Sequence, residues 1–184
     1  MPVFTRPVLV GFVAASVLLS AACSSDNPKV APATQQPSPS ALPSLGPNAA
    51  AERDALIAYR GMWSAVVEAA KTSDPEAPGV RKYAMDQALR LITSSLYTDR
   101  EQGKVTKGDL VLNPKVTGAK PAQAPNEVTV LDCVDSTKWL KYKTTGGLAD
   151  DKPGGKHRTT ATVKLTGNTW KVSSFLLEES GTCS

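Results

Sequence analysis

Two carboxylates in one strand-like segment are the residues best suited to acid–base chemistry. Asp132 and Asp135 lie at the end of a run rich in β-branched residues, Glu127 to Val134. Side chains alternate along a strand, so carboxylates three residues apart point to opposite faces unless a bulge intervenes, and they cannot share a proton. Structural roles are therefore favoured: Asp135 begins a turn with Ser136, and Asp132 binds neighbouring backbone or a cation.

Asp132 has a second interpretation. If its side chain faces the interior of the domain, burial would make it a stronger base, as in acid–base enzymes of the isomerase or cyclase type. Tyr59, Tyr83 and Tyr142 are candidate hydroxyl donors for such a pocket, although each is more commonly a core or rim aromatic. This interpretation requires an open apolar cavity with Asp132 inside it.

The single histidine gives little support for catalysis. His157 stands between Lys156 and Arg158 at the start of a predicted strand, where a lone imidazole is usually solvated. The sequence contains no nucleophile elbow, phosphate loop, zinc-protease helix or calcium loop. We therefore predict no catalytic residue, no metal site and no cofactor, and we interpret the chain as a non-enzymatic protein.

The composition allows one globular domain without a strong electric field. The chain has 184 residues, 41% of them hydrophobic and 21% charged, and a formal net charge of +4. Basic and acidic residues are mixed along the chain rather than grouped in blocks. We expect no nucleic-acid partner, and at most a weak attraction to anionic headgroups or cell-wall polymers.

The first residues have the parts of an export signal. Arg6 supplies the charge, and an apolar run from Val8 to Leu19 is too short to span a bilayer. The segment Leu19-Ser20-Ala21-Ala22-Cys23 resembles a lipobox, which implies that diacylglycerol is attached to Cys23 and that cleavage follows Ala22. An ordinary secretory leader cut at Ala22 is the alternative.

Lipidation of Cys23 would also determine how the other two cysteines pair. Two acyl chains hold a protein stably on a membrane, so we predict a lipoprotein anchored at the extracytoplasmic face. Cys133 and Cys183 then remain as one pair in an oxidising compartment, and their disulfide would pin the C-terminal tail to the sheet. A metal site at these thiols is the alternative, weakened because no third ligand is near.

Three segments follow from this organisation. Residues 1–22 are the signal peptide, and residues 23–48 are a lipidated tether rich in Ser, Pro and Ala that has too few large apolar groups to fold. Residues 49–184 form the domain. Within it, apolar residues at three- and four-residue steps predict a helix over 49–72, and a second run over 80–103 predicts one long helix or two short ones.

The pattern after Gly103 favours strands. Leu110-Val111-Leu112 precedes Asn113-Pro114, so this first predicted strand belongs at a sheet edge. Glu127 to Val134 is the next strand, and Trp139 to Lys143 extends it or pairs with it. A hairpin closes the chain: two alternating segments, 160–166 and 170–176, flank the turn Gly167-Asn168. Helices first and strands afterwards predict an α+β domain with helices on one face of a curved antiparallel sheet.

The order of elements resembles actinobacterial envelope lipoproteins that have a nuclear-transport-factor-like, cone-shaped domain. The residues that carry the resemblance are Tyr83-Ala84, Gly103, Asp132-Cys133-Val134-Asp135 and Trp170-Lys171-Val172. It implies a four-stranded cone over residues 49–184, the bridge from Cys133 to Cys183 and an envelope location. It implies no activity, because this fold hosts isomerases, cyclases, secretion scaffolds and binding modules.

The function that these observations favour is binding. We expect the domain to hold an unknown protein or a small amphiphilic ligand at the mouth of the cone or on the open sheet face. A cone filled by Trp63, Trp139 or Trp170 would leave only surface binding. The alternatives are the acid–base enzyme described above and a scaffold subunit of an envelope or secretion assembly, which would need an exposed apolar patch on the sheet.

Overall fold

The structure, a computed structural model, describes residues 47–149 and 154–184. The predicted signal peptide, the lipidation site Cys23 and the tether up to residue 46 lie outside the described residues. Within those ranges the helices and strands are α1 (Pro47–Ala70), α2 (Pro78–Tyr83), α3 (Asp86–Glu101), β1 (Lys104–Lys107), β2 (Lys115–Lys120), β3 (Glu127–Asp135), β4 (Leu140–Lys143), β5 (Lys156–Thr166) and β6 (Thr169–Leu177).

The strands form two antiparallel sheets. The main sheet has the order β2-β3-β5-β6, and β1 and β4 pair separately as a two-stranded ribbon. The helices pack against one face of the main sheet, as the alternation of buried and exposed residues in β3 and β5 shows. The predicted α+β class, with helices on one face of a four-stranded antiparallel sheet, is confirmed.

Helix α1 supplies the largest share of the core. Its apolar side chains recur at helical spacing and are buried, so one face of the helix lies on the sheet. Opposite it, the inward residues of the sheet include several fully buried valines. The buried cluster includes Tyr59, Met62, Trp63 and Val66 from α1, and Val128, Val130, Val163 and Val172 from the strands.

The second helical run is divided into α2 and α3 by an extended pair, Ala84-Met85. Ala84 forms a parallel bridge with Val172, and the Met85 N–H donates to the Val172 carbonyl at 2.9 Å. Next to it, Gln87 both donates to and accepts from the backbone of Phe175, at 3.2 and 3.0 Å. The helical break therefore covers the outer edge of β6, which would otherwise have unpaired backbone groups.

Two strand predictions are wrong in their detail. Leu110-Val111-Leu112 is not a strand: only Val111 pairs, with Asp135, and the edge strand is β2, which begins after Pro114. The segment from Trp139 becomes β4, and it pairs with β1 rather than with β3. The sequence did not predict β1 or β2, because their short lysine-bounded segments lack apolar alternation.

The terminal hairpin and the disulfide are confirmed. Strands β5 and β6 flank Gly167-Asn168, with Thr166 opposite Thr169. Cys133 and Cys183 are bonded, with their Cα atoms 5.9 Å apart and a sequence separation of 50. Thr182 also binds the backbone N–H of Arg158 at 2.9 Å. The C-terminal tail is thereby fixed to the outward side of β3 and β5.

No helix in residues 47–149 or 154–184 has both the length and the hydropathy needed to cross a membrane.

Gly108 sets the position of the ribbon and yields a first prediction. Its φ is +99°, and a Cβ there would overlap the carbonyl oxygen of Lys138, whereas Gly147, with φ +79°, has open space around it. We expect Gly147→Ala to cost about 1 kcal/mol of unfolding free energy from the positive φ alone. Gly108→Ala should cost at least about 2 kcal/mol more, because backbone must also move. Urea denaturation measures both; equal losses would show that the close approach is unimportant.

Candidate functional site

A cleft of about 330 Å³ opens between the helices, the ribbon and the end of β6. This volume lies at the lower end of the range for small-molecule sites. Its lining residues come from five elements or their immediate flanks: Trp63, Val66 and Ala70 from α1; Leu91, Ile92, Ser95, Leu96 and Asp99 from α3; Thr106 from β1; Trp139 and Lys141 at β4; and Phe175 and Leu177 from β6.

The inner wall of the cleft is apolar and aromatic. The rings of Trp63 and Phe175 lie 5.5 Å apart between centroids at an angle of 59°. Leu91 and Leu177 stand at the opening and remain 46% and 42% exposed. The cleft therefore offers an aromatic floor and an apolar rim.

An ion pair closes one side of the cleft. Lys141 Nζ lies 2.6 Å from Asp99 Oδ1, and the Asp99 side chain is 8% exposed while that of Lys141 is 39% exposed. Thr106, directly opposite Lys141 in the ribbon, is buried beside them. Trp139 adds a further polar atom, since its Nε1 is buried and has no hydrogen-bond partner among the described residues.

Local sequence explains how these groups converge. Along α3, Leu91, Ile92, Ser95, Leu96 and Asp99 recur at three- and four-residue steps, so one helix face carries all of them. Because opposite residues of an antiparallel pair share a face, Thr106 and Lys141 lie on the same side of the ribbon. The ion pair then joins this face to α3.

The structure brings together only one pair of the predicted pocket residues, Asp132 and Tyr59. Asp132 is 3% exposed and lies on the inward face of β3 between Val130 and Val134. Its Oδ1 accepts the N–H of Asn113 at 2.7 Å, whereas Oδ2 and the Tyr59 hydroxyl have no partner within the described ranges. Burial and then the charge of Asp132 raise the pKa of Tyr59 far above its ordinary value.

This buried pair does not belong to the cleft. Neither Asp132 nor Tyr59 lines it, and Trp63, one turn after Tyr59, stands at its wall. Asp132 instead borders a separate pocket of about 290 Å³, whose lining includes Asn113, Lys115 and Arg158. That lining is largely polar and charged, so it is not the open apolar cavity that acid–base chemistry at Asp132 requires. The favoured expectation for Asp132 agrees with the observed bond to the backbone of Asn113.

Tyr83 and Tyr142 lie elsewhere. Tyr83 ends α2, and its ring packs so closely on Gly61 that a Cβ there would meet it at 2.7 Å. Tyr142 is in β4 beneath Lys107, whose Nζ stands 5.3 Å from the ring centroid. The four predicted pocket residues therefore do not form one site.

Asp135 begins the predicted turn. Its Oδ1 accepts the backbone N–H of Thr137 at 2.9 Å and also the Thr137 hydroxyl. Hydrogen bonds from that hydroxyl and that N–H hold the pKa of Asp135 below its usual range. Asp135 is thus a turn residue and not a partner of Asp132.

His157 is partly buried and has a hydrogen-bond contact at each ring nitrogen, whereas the sequence suggested a solvated imidazole. Its Nδ1 lies 2.9 Å from the Glu178 carbonyl, which can only accept, so Nδ1 carries the proton. Its Nε2 lies 3.1 Å from Ser136 Oγ, and the same oxygen accepts the Gly155 N–H at 3.1 Å. These contacts fix a turn and the start of the tail.

The charged wall of the cleft was missed by the sequence analysis. Asp99 carried the only available signal, because its spacing from Ile92 and Leu96 places it on the same face of α3 as these apolar residues. Lys141 and Trp139 gave no such signal, since the pairing of β1 with β4 could not be predicted from two such short segments.

A second, larger groove of about 560 Å³ runs between α1 and α2. It is lined mainly by small residues and by the charged side chains of Glu68, Lys71 and Asp74. It has no unpartnered buried polar atom in its lining, within the part of the chain that is described. Nor do the described residues contain a group of three or more His, Cys, Asp or Glu side chains arranged to hold a metal.

Comparisons with known proteins concern the fold. No protein-family model and no curated protein matches the chain in sequence. The intermembrane space region of the chloroplast protein ARC6 superposes with a TM-score of 0.53 at 13% identity, over 70% of this chain and 97% of that chain. The similarity shows a shared fold and nothing of activity.

Two further structures are more distant. A protein of unknown function with a cystatin-like fold from Nostoc punctiforme gives a TM-score of 0.43 at 11% identity, over 69% of this chain and 92% of its own. A domain of unknown function with a cystatin-like fold from the same organism gives 0.40 at 10%, over 72% and 79%. At these scores they support no argument about this chain.

Proposed function

We propose that the protein is a lipid-anchored, extracytoplasmic binding module whose cleft holds a small amphiphilic ligand without transforming it. The observation that carries this proposal is the cleft itself: an aromatic floor of Trp63 and Phe175 faces a wall that contains the ion pair of Asp99 and Lys141. Concave, mainly apolar sites with a few convergent polar groups are the usual form of small-molecule sites. The ligand should share that division into apolar and polar parts.

The cleft has binding groups but no assembled catalytic set among the described residues. Its one carboxylate, Asp99, is engaged by Lys141, and no hydrogen bond among the described residues joins a base to the hydroxyl of Ser95 or Thr106. A nucleophile needs a base within hydrogen-bond reach. Binding without chemistry is therefore the simpler function for this cleft.

A second candidate, the acid–base enzyme, is favoured by one observation only: Asp132 and the Tyr59 hydroxyl are buried near each other. Against it, Asn113 occupies one carboxylate oxygen and the pair lies behind Trp63, outside the cleft. A general base must reach the proton that it removes. We therefore rank this function below binding.

The scaffold alternative depends on the outer face of the sheet. Leu131 and Leu176 are exposed there at 37% and 63%, with Thr160 paired between them. Two leucines separated by a threonine form a small apolar area for an assembly interface. The lysines at both ends of β2 and its irregular register near Val116 also disfavour strand addition at that edge.

The proposed location has two supports. The lipobox-like segment before Cys23 predicts an anchor, and the disulfide between Cys133 and Cys183 fits an oxidising compartment outside the cytoplasm. We further propose that the chain is related to actinobacterial envelope lipoproteins. The tether over residues 23–48 would place the cleft away from the lipid surface.

Obstruction of the cleft should abolish ligand binding. We expect the neutral apolar fluorophore N-phenyl-1-naphthylamine to bind with enhanced emission, because it would leave water for the aromatic floor. Ser95→Phe, at the rim, should weaken binding at least about tenfold. Ser94→Phe is the matched control, because Ser94 is the neighbouring exposed residue of α3 and does not line the cleft. Equal loss in both variants, or no binding by the unmodified protein, would contradict the proposed site.

Removal of the Asp132 charge should leave binding intact. Asp132→Asn keeps an oxygen to accept the Asn113 N–H, so we expect unchanged fluorophore affinity and an equal or higher unfolding free energy. Asp132→Ala should instead lower that free energy by about 1–3 kcal/mol, since the buried N–H loses its acceptor. If Asp132→Asn abolished conversion of a bound compound while binding persisted, the acid–base candidate would replace the binding module.

Loss of the Cys23 thiol should release the protein from the membrane. A Cys23→Ser variant expressed in a bacterial host that processes lipoproteins should move from the membrane fraction to the soluble fraction, because it has no acyl chains to hold it. Cys183→Ser is the control, and it should stay with the membrane. A wild-type chain recovered from the soluble fraction without acyl mass would refute the anchor.

A further inference from the structure

We propose that the ligand of the cleft is a compact anionic amphiphile, with an apolar ring-sized body and one carboxylate or similar oxyanion that binds at Lys141. This inference rests on the proposed binding function and names its ligand class. It follows from the donors that the cleft wall leaves unused, from the charge of the ribbon face and from the volume of the cleft.

The wall has more hydrogen-bond donors than acceptors. An ammonium group has three N–H donors, and Asp99 Oδ1 takes one of those of Lys141 at 2.6 Å. No other hydrogen bond of Lys141 Nζ occurs among the described residues, and Nζ belongs to a side chain that is 39% exposed. Trp139, which also lines the cleft, has a buried Nε1–H without a partner. A ligand that accepts hydrogen bonds suits this wall better than one that donates them.

The charge around Lys141 favours an anion over a neutral acceptor. In the ribbon, Thr106 pairs with Lys141 and Lys104 with Lys143, so alternation places all four on the face that meets the cleft. Asp99 offsets one of the three positive charges. The two other charges belong to Lys104 and Lys143, which share this ribbon face but lie outside the lining of the cleft, and they would attract an oxyanion toward Lys141.

The volume limits the apolar part of the ligand. A cleft of about 330 Å³ is near the lower limit for small-molecule sites, too small to enclose a long acyl chain. The rings of Trp63 and Phe175, 5.5 Å apart, suit a flat aromatic or short branched body. The ligand would lie with its body on these rings and its oxyanion toward the ribbon.

A set of probes with one body and different heads tests this inference. Titration calorimetry on the purified protein compares 1-naphthoate, 1-naphthylmethanol and 1-naphthylmethylammonium. We expect 1-naphthoate to bind about tenfold more tightly than the alcohol, since charge-assisted hydrogen bonds are roughly twice as strong as neutral ones. The ammonium should bind most weakly. Added salt should reduce the preference for the carboxylate, because it screens the attraction of lysines that lie outside the cleft.

Variants assign the preference to Lys141. Lys141→Met keeps the aliphatic stem but should remove the preference for 1-naphthoate, although it leaves Asp99 unpaired. Asp99→Asn/Lys141→Met removes both charges and should bind the acid and the alcohol equally, which guards against a folding defect in the single variant. Lys115→Met, an equal charge change on β2, should keep the tenfold preference.

The three indole N–H signals in proton NMR spectra show which tryptophans the ligand contacts. The chain has three tryptophans, of which Trp63 and Trp139 line the cleft and Trp170 does not. We expect the Trp139 signal to move when 1-naphthoate binds while the Trp170 signal stays fixed. Equal affinity for acid and alcohol, with Trp139 still responding, would overturn the anionic head but keep the binding cleft. Failure of all three probes to bind would overturn both.

Discussion

The ion pair between Asp99 and Lys141 joins the two halves of the site. It links α3, which packs on the main sheet, to a two-stranded ribbon that is not hydrogen-bonded to that sheet as a ladder. The desolvation cost of a largely buried carboxylate offsets much of the Coulomb attraction, so the pair contributes position more than stability. Among the described residues no other ion pair joins the ribbon to α3, so without this one the cleft would lose a defined wall.

Other parts of the fold place α3 and the ribbon on either side of the cleft. The extended Ala84-Met85 pair and Gln87 occupy the free edge of β6, and the break between α2 and α3 orients α3 across the end of that strand. Gly108 lets the chain turn beside Lys138, so that β4 returns to β1. The cleft is the space left where a helix, a ribbon and a strand end meet.

Long periodic segments were predicted from the sequence, and short paired ones were not. The period of α1 and the Gly167-Asn168 turn are local signals, and each led to a correct element. By contrast, β1 and β4 contain four residues each, and their pairing spans a long stretch of chain. The same difference explains which residues of the site could be predicted from the sequence. Asp132 was singled out because its strand is recognisable, whereas Lys141 and Trp139 have a role only through the ribbon.

Buried polar groups without a hydrogen-bond partner occur at two places, in the core around Tyr59 and in the cleft at Trp139. The Tyr59 hydroxyl lies near Asp132 Oδ2, an acceptor, and Trp63 Nε1, a donor, so a small movement or one buried water would satisfy these groups within the core. Trp139 Nε1 differs, because an indole only donates and no described acceptor lies within reach. Its residue lines the cleft next to an ammonium with unused donors. A buried donor gains most from an acceptor that arrives with a ligand, and that chemical need is why we propose the cleft, rather than the buried carboxylate, as the binding site.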